Sequence, residues 1–437
     1  MSYKIAVIGG GGVRTPLLLH GLANSNFPVS ALTLYDIDAP RARVMATLGS
    51  ELTGLPITVE PRLEAAVEGA DFVISSIRVG GIAGRAHDER IAMEHGLAGQ
   101  ETTGAGGAAM ALRTVPEALA HARLVERLAP KSWLISFTNP AGLVTQAIRS
   151  HCDVKAIGIC DTPSELIHRL GEVLGGQVEC DYSGLNHLGW VSRVRRNGED
   201  VTAEVLASGR ILRAIYPADL FDPLLIRTLG LIPSEYLFFY YSPRKAYSNQ
   251  KKAGATRGGE IERMNNELFA RLALFAEKPD ARAGVECYRD YLRQRNASYL
   301  KLEAEAGSAF EGGIVAPDPF AAATGYHRVA VDVMQALVSD EPRQIILNVQ
   351  NHGAIEGMAD DDVVEVPCSI DRHGPVPHKT GRLPQTVRGL VESVKGYERT
   401  LIRAAVENSP ELARLAMLQY PLVGDWDLAG SLLQTRS

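Results

Sequence analysis

The chain has 437 residues, of which 46% are hydrophobic and 22% are charged, and its formal net charge is −6. This composition is typical of a soluble globular protein of two or three domains, and without lysine and arginine runs we expect neither nucleic acid nor membrane as a partner. Five scattered cysteines argue against a disulfide framework. Because the sequence has no signal-peptide core and no 18-residue apolar run, we expect a cytoplasmic protein.

The first 165 residues alternate β-rich runs with helical stretches, which predicts an α/β fold with a Rossmann-like, doubly wound parallel sheet. A second, mixed α/β domain is predicted for the rest of the chain, with a boundary between residues 165 and 190. The predicted strands are residues 5–8, 32–35, 72–75, 133–138, 155–159 and 363–370. The predicted helices include residues 117–128, 201–215 and 260–275, one carrying apolar positions from 387 to 401, and one capped at Ser409.

A glycine-rich turn, Gly9 to Gly12, directly follows the first predicted strand. Glycines there let backbone N–H groups approach a pyrophosphate, and Asp36 ends the next strand, where it can accept both ribose hydroxyls. Since a carboxylate repels a 2′-phosphate, we expect NAD rather than NADP. Arg14 stands where the third glycine of the usual motif would be, and a turn that binds no nucleotide is the alternative.

A cysteine and an aspartate, Cys160 and Asp161, follow the strand predicted at 155–159, with Thr162 predicted as N-cap of the next helix. Ligands in open α/β sheets bind at the carboxyl ends of the strands, so both side chains are candidates for chemistry. His187 lies farther along the chain and by itself would be a buried, hydrogen-bonded histidine. With Cys160 it can form a two-point site for a divalent cation such as Mn²⁺, leaving positions open for substrate.

Other polar segments lie at predicted strand ends and loops, at residues 75–78, 100–104 and 137–140. Three such segments at one rim predict a pocket, in which Arg85 can clamp an anionic substrate; the alternative is a surface arginine paired with a nearby carboxylate. Tyr236 belongs to an aromatic cluster and is a candidate base. The alternative is that this cluster only packs in the core or at an interface. Tyrosine is a poor base at its ordinary pKa near 10, which a nearby cation can lower.

Seven motifs in order resemble those of the NAD- and metal-dependent family 4 glycoside hydrolases, most closely the 6-phospho-β-glucosidase members. They are residues 7–11, 35–38, 78–81, 99–104, 137–140, 160–161 and 184–187. The resemblance implies a lactate/malate dehydrogenase-like architecture with an NAD-binding domain over residues 1–165. Residues 166–437 would then bind substrate and metal and mediate assembly into a homodimer or homotetramer.

The same resemblance implies hydrolysis of a phosphorylated disaccharide or glycoside by oxidation at sugar carbon 3, elimination across carbons 1 and 2, water addition and re-reduction. It implies that Tyr236 removes the proton on carbon 2, that Asp161 protonates the departing oxygen, and that Glu101 raises the basicity of the tyrosine. Cys160 and His187 would hold Mn²⁺ or another divalent metal. The implied cofactor-binding residues are Gly9, Gly11, Asp36, Arg78 and Asn139, and the implied substrate-binding residues are Arg85, Asn139 and Arg257.

One departure from the family pattern leaves the substrate less defined than the mechanism. Gln350 stands where relatives usually carry arginine, so one possible anion contact is missing. A 6-phospho-α-glucosidase, an α-galactosidase or an α-glucuronidase of the same family is therefore an alternative. A simple NAD-dependent hydroxy-acid dehydrogenase and a catalytically silent NAD-binding sensor are the alternatives outside the family.

Overall fold

The computed structural model of the protein describes residues 2–216, 218–277, 281–302, 318–321 and 324–434. Its strands are β1 (Tyr3–Ile8), β2 (Val29–Tyr35), β3 (Ile57–Val59), β4 (Phe72–Ser75), β5 (Trp133–Ser136), β6 (Lys155–Gly158), β7 (Val178–Leu185), β8 (Leu188–Arg196), β9 (Glu199–Asp200), β10 (Ile232–Pro233), β11 (Arg343–Gln350), β12 (Val363–Asp371) and β13 (Gly374–Pro377).

The helices of the described residues connect these strands along the chain. They are α1 (Thr15–Asn24), α2 (Ala39–Thr53), α3 (Leu63–Val67), α4 (Gly81–Glu94), α5 (Gly104–Leu128), α6 (Ala141–His151), α7 (Thr162–Leu174), α8 (Thr202–Ala207), α9 (Gly209–Ala214), α10 (Pro223–Leu229), α11 (Leu237–Tyr241), α12 (Pro243–Ala253), α13 (Arg257–Glu277), α14 (Ala281–Ala297), α15 (Tyr326–Ala336), α16 (Gln385–Glu407), α17 (Pro410–Gln419) and α18 (Trp426–Gln434), with a 3-10 turn at Pro319–Ala321. Among them, none combines the length and the apolar character needed to cross a bilayer.

The strands form one sheet with a parallel half and an antiparallel half. The parallel half has the order β3-β2-β1-β4-β5-β6, which is the strand order of dinucleotide-binding folds. Antiparallel strands β11, β12, β7, β8 and β10 extend the sheet beyond β6. The predicted α/β class and parallel amino-terminal sheet are thus confirmed, while the domain boundary at residue 165 stays a prediction.

The core of the parallel half explains why the predicted strands form. Residues 5–8 and 72–74 are at most 3% exposed, as expected for strands covered by helices on both faces. β2 begins three residues before the predicted start, and β5 ends at Ser136, two residues before the predicted end. The carboxyl ends of β1, β4, β5 and β6 consequently lie along one edge of the sheet.

Two local predictions are wrong. The helix predicted over 201–215 is two short helices, α8 and α9, because the Ser208 hydroxyl accepts from the Ile211 N–H and starts a new helix. The N-cap of α7 is Asp161, not Thr162, which is already the first helical residue. The carboxyl group of Asp161 makes no capping hydrogen bond, so it is not committed to the helix end.

Candidate active site

A thiol and an imidazole meet at the carboxyl end of β6. Cys160 lies between β6 and α7, and His187 lies in the two-residue turn of the β7–β8 hairpin with a positive φ of 62°. Cys160 Sγ is 3.5 Å from His187 Nε2. The structure therefore brings together two side chains that are 27 residues apart in the chain.

Burial sets the protonation of this pair in the absence of a cation. It lowers the pKa of the His187 imidazole to about 4, so the ring is neutral near pH 7. Burial, assisted by the carboxylates of Glu365 and Asp161, raises the pKa of the Cys160 thiol far above its usual range. A bound cation would reverse this for the thiol, because metal coordination favours the thiolate.

The separation of the two ligand atoms fits a shared divalent cation. Metal–sulfur and metal–nitrogen bonds of about 2.3 and 2.1 Å, meeting at about 90–110°, put the ligand atoms roughly 3.1–3.6 Å apart. The observed 3.5 Å lies within that interval. In the described part of the chain, no group of three or more histidine, cysteine, aspartate or glutamate side chains could hold a metal. Within the described residues, Cys160 and His187 thus form a two-ligand site that leaves further coordination positions open.

Tyr236 lies directly against the imidazole. Its ring stacks on His187 with a centroid separation of 3.7 Å and an interplanar angle of 6°, just before α11. Burial and the negative charges of Glu101 and Glu235 raise the pKa of the Tyr236 phenol well above its usual range. The phenol is therefore protonated without a cation, and its phenolate would be a strong base.

Glu101, between α4 and α5, is held by two arginines. Arg78 Nη1 and Arg85 Nη1 lie 2.5 and 2.9 Å from its Oε2. Burial would raise the pKa of the Glu101 carboxyl, but the two guanidinium groups outweigh it and hold this pKa well below its usual range. Arg85 also pairs with Glu89 at 2.7 Å and is 6% exposed. The predicted contact between Arg85 and an anionic substrate stays a prediction.

The loop that carries Glu101 is fixed by two distant side chains. Gln250 of α12 accepts from the Gly99 N–H and donates to the Gly99 carbonyl, both at 2.8 Å. The Tyr420 hydroxyl accepts from the Gly104 N–H at 2.9 Å. These contacts hold the loop at both ends, so the position of Glu101 depends on residues more than 140 positions away.

The glycine-rich turn and Asp36 are also brought together, as the sequence predicts. Gly9 has a φ of 90°, and a Cβ there would lie 2.5 Å from the Ser76 carbonyl oxygen. The Gly11 N–H donates to Asp36 Oδ2 at 2.8 Å, and a Cβ on Gly11 would lie 2.9 Å from that oxygen. Only glycine therefore fits these two positions, and the tight turn without side chains that results fits the close approach of a dinucleotide.

The two remaining predicted residues, Asn139 and Arg257, belong to different segments of the chain. Asn139, half-buried, lies between β5 and α6 at the same strand edge as Cys160. The Arg257 guanidinium donates to Ser298 Oγ at 2.5 Å, and to the carbonyls of Ser298 and Arg295 at 3.0 and 2.9 Å, so it is anchored at the carboxyl end of α14. The substrate roles predicted for Asn139 and Arg257 stay predictions.

Sequence reasoning missed a buried carboxylate behind the Cys160–His187 pair. Glu365 of β12 is 1% exposed and accepts from the Tyr182 hydroxyl at 2.8 Å and from the side-chain amides of Asn186 and Asn348 at 3.0 Å each. Burial raises its pKa to about 6. The available signal was an acidic residue inside the apolar run Val363 to Val366, where a charge needs buried partners.

A second missed carboxylate, Glu235, precedes Tyr236. Burial raises its pKa to about 7, opposed by the charge of Arg169 and by a hydrogen bond that the Tyr299 hydroxyl donates to Glu235 Oε1. The nearby carboxylates of Glu165 and Asp161 raise it further. The consecutive residues Glu235 and Tyr236 thus both have raised pKa values, and Tyr236 lies against the imidazole. Perturbed pKa values grouped in this way are typical of an active site.

Two family models match this chain almost end to end. Residues 4–175 match the model described as family 4 glycosyl hydrolase, and residues 182–423 match its C-terminal domain. The 6-phospho-β-glucosidase of Escherichia coli is 31% identical over 96% of this chain and 91% of its own length. A phospho-α-glucosidase of Clostridium acetobutylicum is 28% identical over 99% and 96%.

Solved structures agree with these matches. A 6-phospho-β-glucosidase from Thermotoga maritima, solved with manganese, NAD⁺ and glucose 6-phosphate, superposes with a TM-score of 0.81 at 29% identity, covering 98% of this chain and 96% of that one. A lactate dehydrogenase from a deep-sea metagenome library superposes with a TM-score of 0.52 at 13% identity, covering 93% and 99%. The second likeness concerns the fold alone and agrees with the predicted dehydrogenase-like architecture.

Proposed function

The chain belongs to family 4 of the glycosyl hydrolases, and we propose that it hydrolyses 6-phospho-β-glucosides with the help of NAD and Mn²⁺. The observation that carries the proposal is the 3.5 Å approach of Cys160 Sγ to His187 Nε2, with the Tyr236 ring stacked on that imidazole. The thiol and the imidazole could hold a metal ion that coordinates the substrate, and the phenol beside them could serve as the base that deprotonates it.

The cofactors have matching residues in the chain. Gly9, Gly11 and Asp36 would hold NAD, because the glycines keep side chains out of the turn beside a carboxylate. Cys160 and His187 would hold Mn²⁺, or another divalent metal, through sulfur and nitrogen. When bound, the nicotinamide accepts and returns a hydride at sugar carbon 3, and the cation supplies Lewis-acid stabilisation of neighbouring oxygens.

The protein's own residues would handle the protons. Tyr236 would remove the proton on carbon 2, and the negative charge of Glu101 makes its phenolate more basic. Arg78 and Arg85 keep Glu101 ionised and in place for that role. The Asp161 carboxyl makes no capping hydrogen bond to α7, and it would give a proton to the departing glycosidic oxygen.

The relatives support the proposed substrate. The matched 6-phospho-β-glucosidase is 31% identical and the matched phospho-α-glucosidase 28% identical, which favours the β anomer. Arg85, Asn139 and Arg257 are the residues proposed to contact the sugar and its 6-phosphate, and Arg78 and Asn139 to contact the cofactor. We also propose that the protein acts in the cytoplasm. We further propose that it assembles as a homodimer or homotetramer.

The test is a chromogenic 6-phospho-β-glucoside incubated with the protein, NAD⁺ and Mn²⁺. We expect aglycone release without lasting NADH accumulation, since the hydride returns in each turnover. The 6-phospho-α-glucoside and both unphosphorylated glycosides serve as matched substrates. Preference for the α anomer would overturn the β assignment alone, whereas stoichiometric NADH with no aglycone would indicate a dehydrogenase and contradict the proposal.

A further inference from the structure

A chain of hydrogen bonds leads from the loop before α5 to the imidazole of His187. Thr102 Oγ1 lies 2.9 Å from His187 Nδ1 on one side and 2.9 Å from Gln100 Oε1 on the other. Gln100, Thr102 and His187 are 8%, 9% and 5% exposed, so water does not compete freely for these contacts. The three side chains form a buried hydrogen-bonded chain that ends at His187 Nδ1, while the other ring nitrogen, Nε2, faces Cys160.

The direction of each hydrogen bond follows from Gln100. Its Oε1 accepts from the backbone N–H groups of Thr102 and Thr103 at 2.5 and 2.8 Å, so the atom at this position is the carbonyl oxygen. A carbonyl oxygen cannot donate, hence the single hydroxyl hydrogen of Thr102 is directed to Gln100. The Thr102 oxygen then faces His187 with lone pairs only, and it can bond the ring only by accepting from Nδ1–H.

We propose that Thr102, oriented by Gln100, is a positioning residue that keeps the proton of His187 on Nδ1 and so leaves the Nε2 lone pair directed at Cys160 for a divalent cation. The metal half of this inference rests on the proposed function. A ligating histidine commonly donates its other N–H to a fixed acceptor, and loss of such an acceptor weakens metal binding. The opposite tautomer would direct an N–H at Cys160 Sγ and block the site.

Tyr236 and the hairpin turn limit the ways in which His187 could escape this arrangement. The tyrosine ring covers one face of the imidazole at 3.7 Å, and the hairpin fixes the backbone of His187 at a positive φ. A flipped ring would separate Nδ1 from Thr102 and Nε2 from Cys160 together. The hydroxyl of Thr102 therefore selects one ring orientation as well as one tautomer.

The first experiment measures Mn²⁺ affinity by calorimetry on folded protein without substrate. Thr102→Val keeps the side-chain shape but removes the hydroxyl, and we expect a 10- to 100-fold loss of affinity. Thr102→Ser restores the hydroxyl and should bind within about threefold of the unmodified protein. Thr103→Val is the matched control, because its hydroxyl lies 3.3 Å from the same Gln100 oxygen and its loss should leave the affinity unchanged. Undiminished affinity in Thr102→Val would overturn the inference.

The second experiment needs no variant of Thr102 and no metal. Nitrogen-15 NMR of imidazole-labelled, metal-free protein, with His187→Asn to identify the signal, reports which ring nitrogen carries the proton. A proton on Nδ1 supports the inference, and a proton on Nε2 overturns it even if Thr102→Val fails to fold. A protein that carries the proton on Nδ1 but binds no Mn²⁺ would uphold the hydrogen-bond chain and contradict the proposed function instead.

Discussion

Replacing Glu235 with glutamine is expected to stabilise the protein against unfolding at alkaline pH. Glu235 is 8% exposed, and burial raises its pKa to about 7 from an ordinary value of 4.5. The unfolded chain ionises this carboxyl near pH 4.5, while the folded protein resists ionisation until about pH 7. Glutamine has nearly the same shape, can still accept from Tyr299, and never carries the charge.

The magnitude follows from the difference between the two pKa values, with 1.36 kcal/mol for each pKa unit. Below pH 4.5 both states hold the proton, so the substitution changes little. As the pH rises toward 7, the unfolded state gains from ionisation and the folded state does not, so the ionisable protein loses stability. The glutamine variant should therefore be more stable by about 1 kcal/mol at pH 5 and about 3 kcal/mol at pH 9.

The assay is urea unfolding of the metal-free protein followed by fluorescence at pH 5, 7 and 9. Glu51→Gln provides the matched control, because it makes the same chemical change at an exposed residue of α2. A stability difference for Glu235→Gln that stays constant or shrinks as the pH rises would refute the assignment of a buried, neutral carboxyl.

Further predictions concern turnover. Cys160→Ser should lose Mn²⁺-dependent hydrolysis of a nitrophenyl 6-phospho-β-glucoside, and full activity would count against the metal assignment. In D₂O, solvent deuterium should enter carbon 2 of the product, whereas its absence by mass spectrometry would remove Tyr236 as base. Asp161→Asn should slow an alkyl glycoside more than a nitrophenyl one, because a good leaving group needs less protonation; equal losses would argue against a general acid. Gln250→Leu, which frees Gly99, should reduce kcat at least tenfold and also weaken Mn²⁺ binding, because the same loop carries Glu101 and Thr102; an unchanged kcat would show that the loop needs no such anchor.

The sequence predicts the parallel half of the sheet well because local signals there agree. Short apolar runs such as residues 72–75 alternate with helices and glycines, and covered parallel strands leave that pattern whatever their neighbours are. The break at Ser208 was missed because apolar residues continue on both sides of it, although the pair Ser208-Gly209 is a typical helix start.

Prediction of the site was limited by long-range contacts. Residue types at a predicted strand end indicated Cys160 with His187 as a metal pair, the motif resemblance added to this, and their approach is present in the structure. The bonds from Asn186 to Glu365, 179 residues away, depend on the pairing of β7 with β12, which no local pattern specifies. The pairing of Arg85 with Glu89 is local to α4 and was an alternative open to the sequence, whereas its pairing with Glu101 appears only when α4 and the loop before α5 are in place.

The central claim is that Cys160 and His187 share one divalent cation beside the tyrosine base. Anomalous X-ray diffraction from crystals grown with Mn²⁺ and NAD⁺ tests it most directly, because the manganese signal locates the ion without assumptions about its ligands. We expect the strongest peak within about 2.5 Å of both Cys160 Sγ and His187 Nε2. A well-occupied manganese ion bonded to neither side chain would contradict the account.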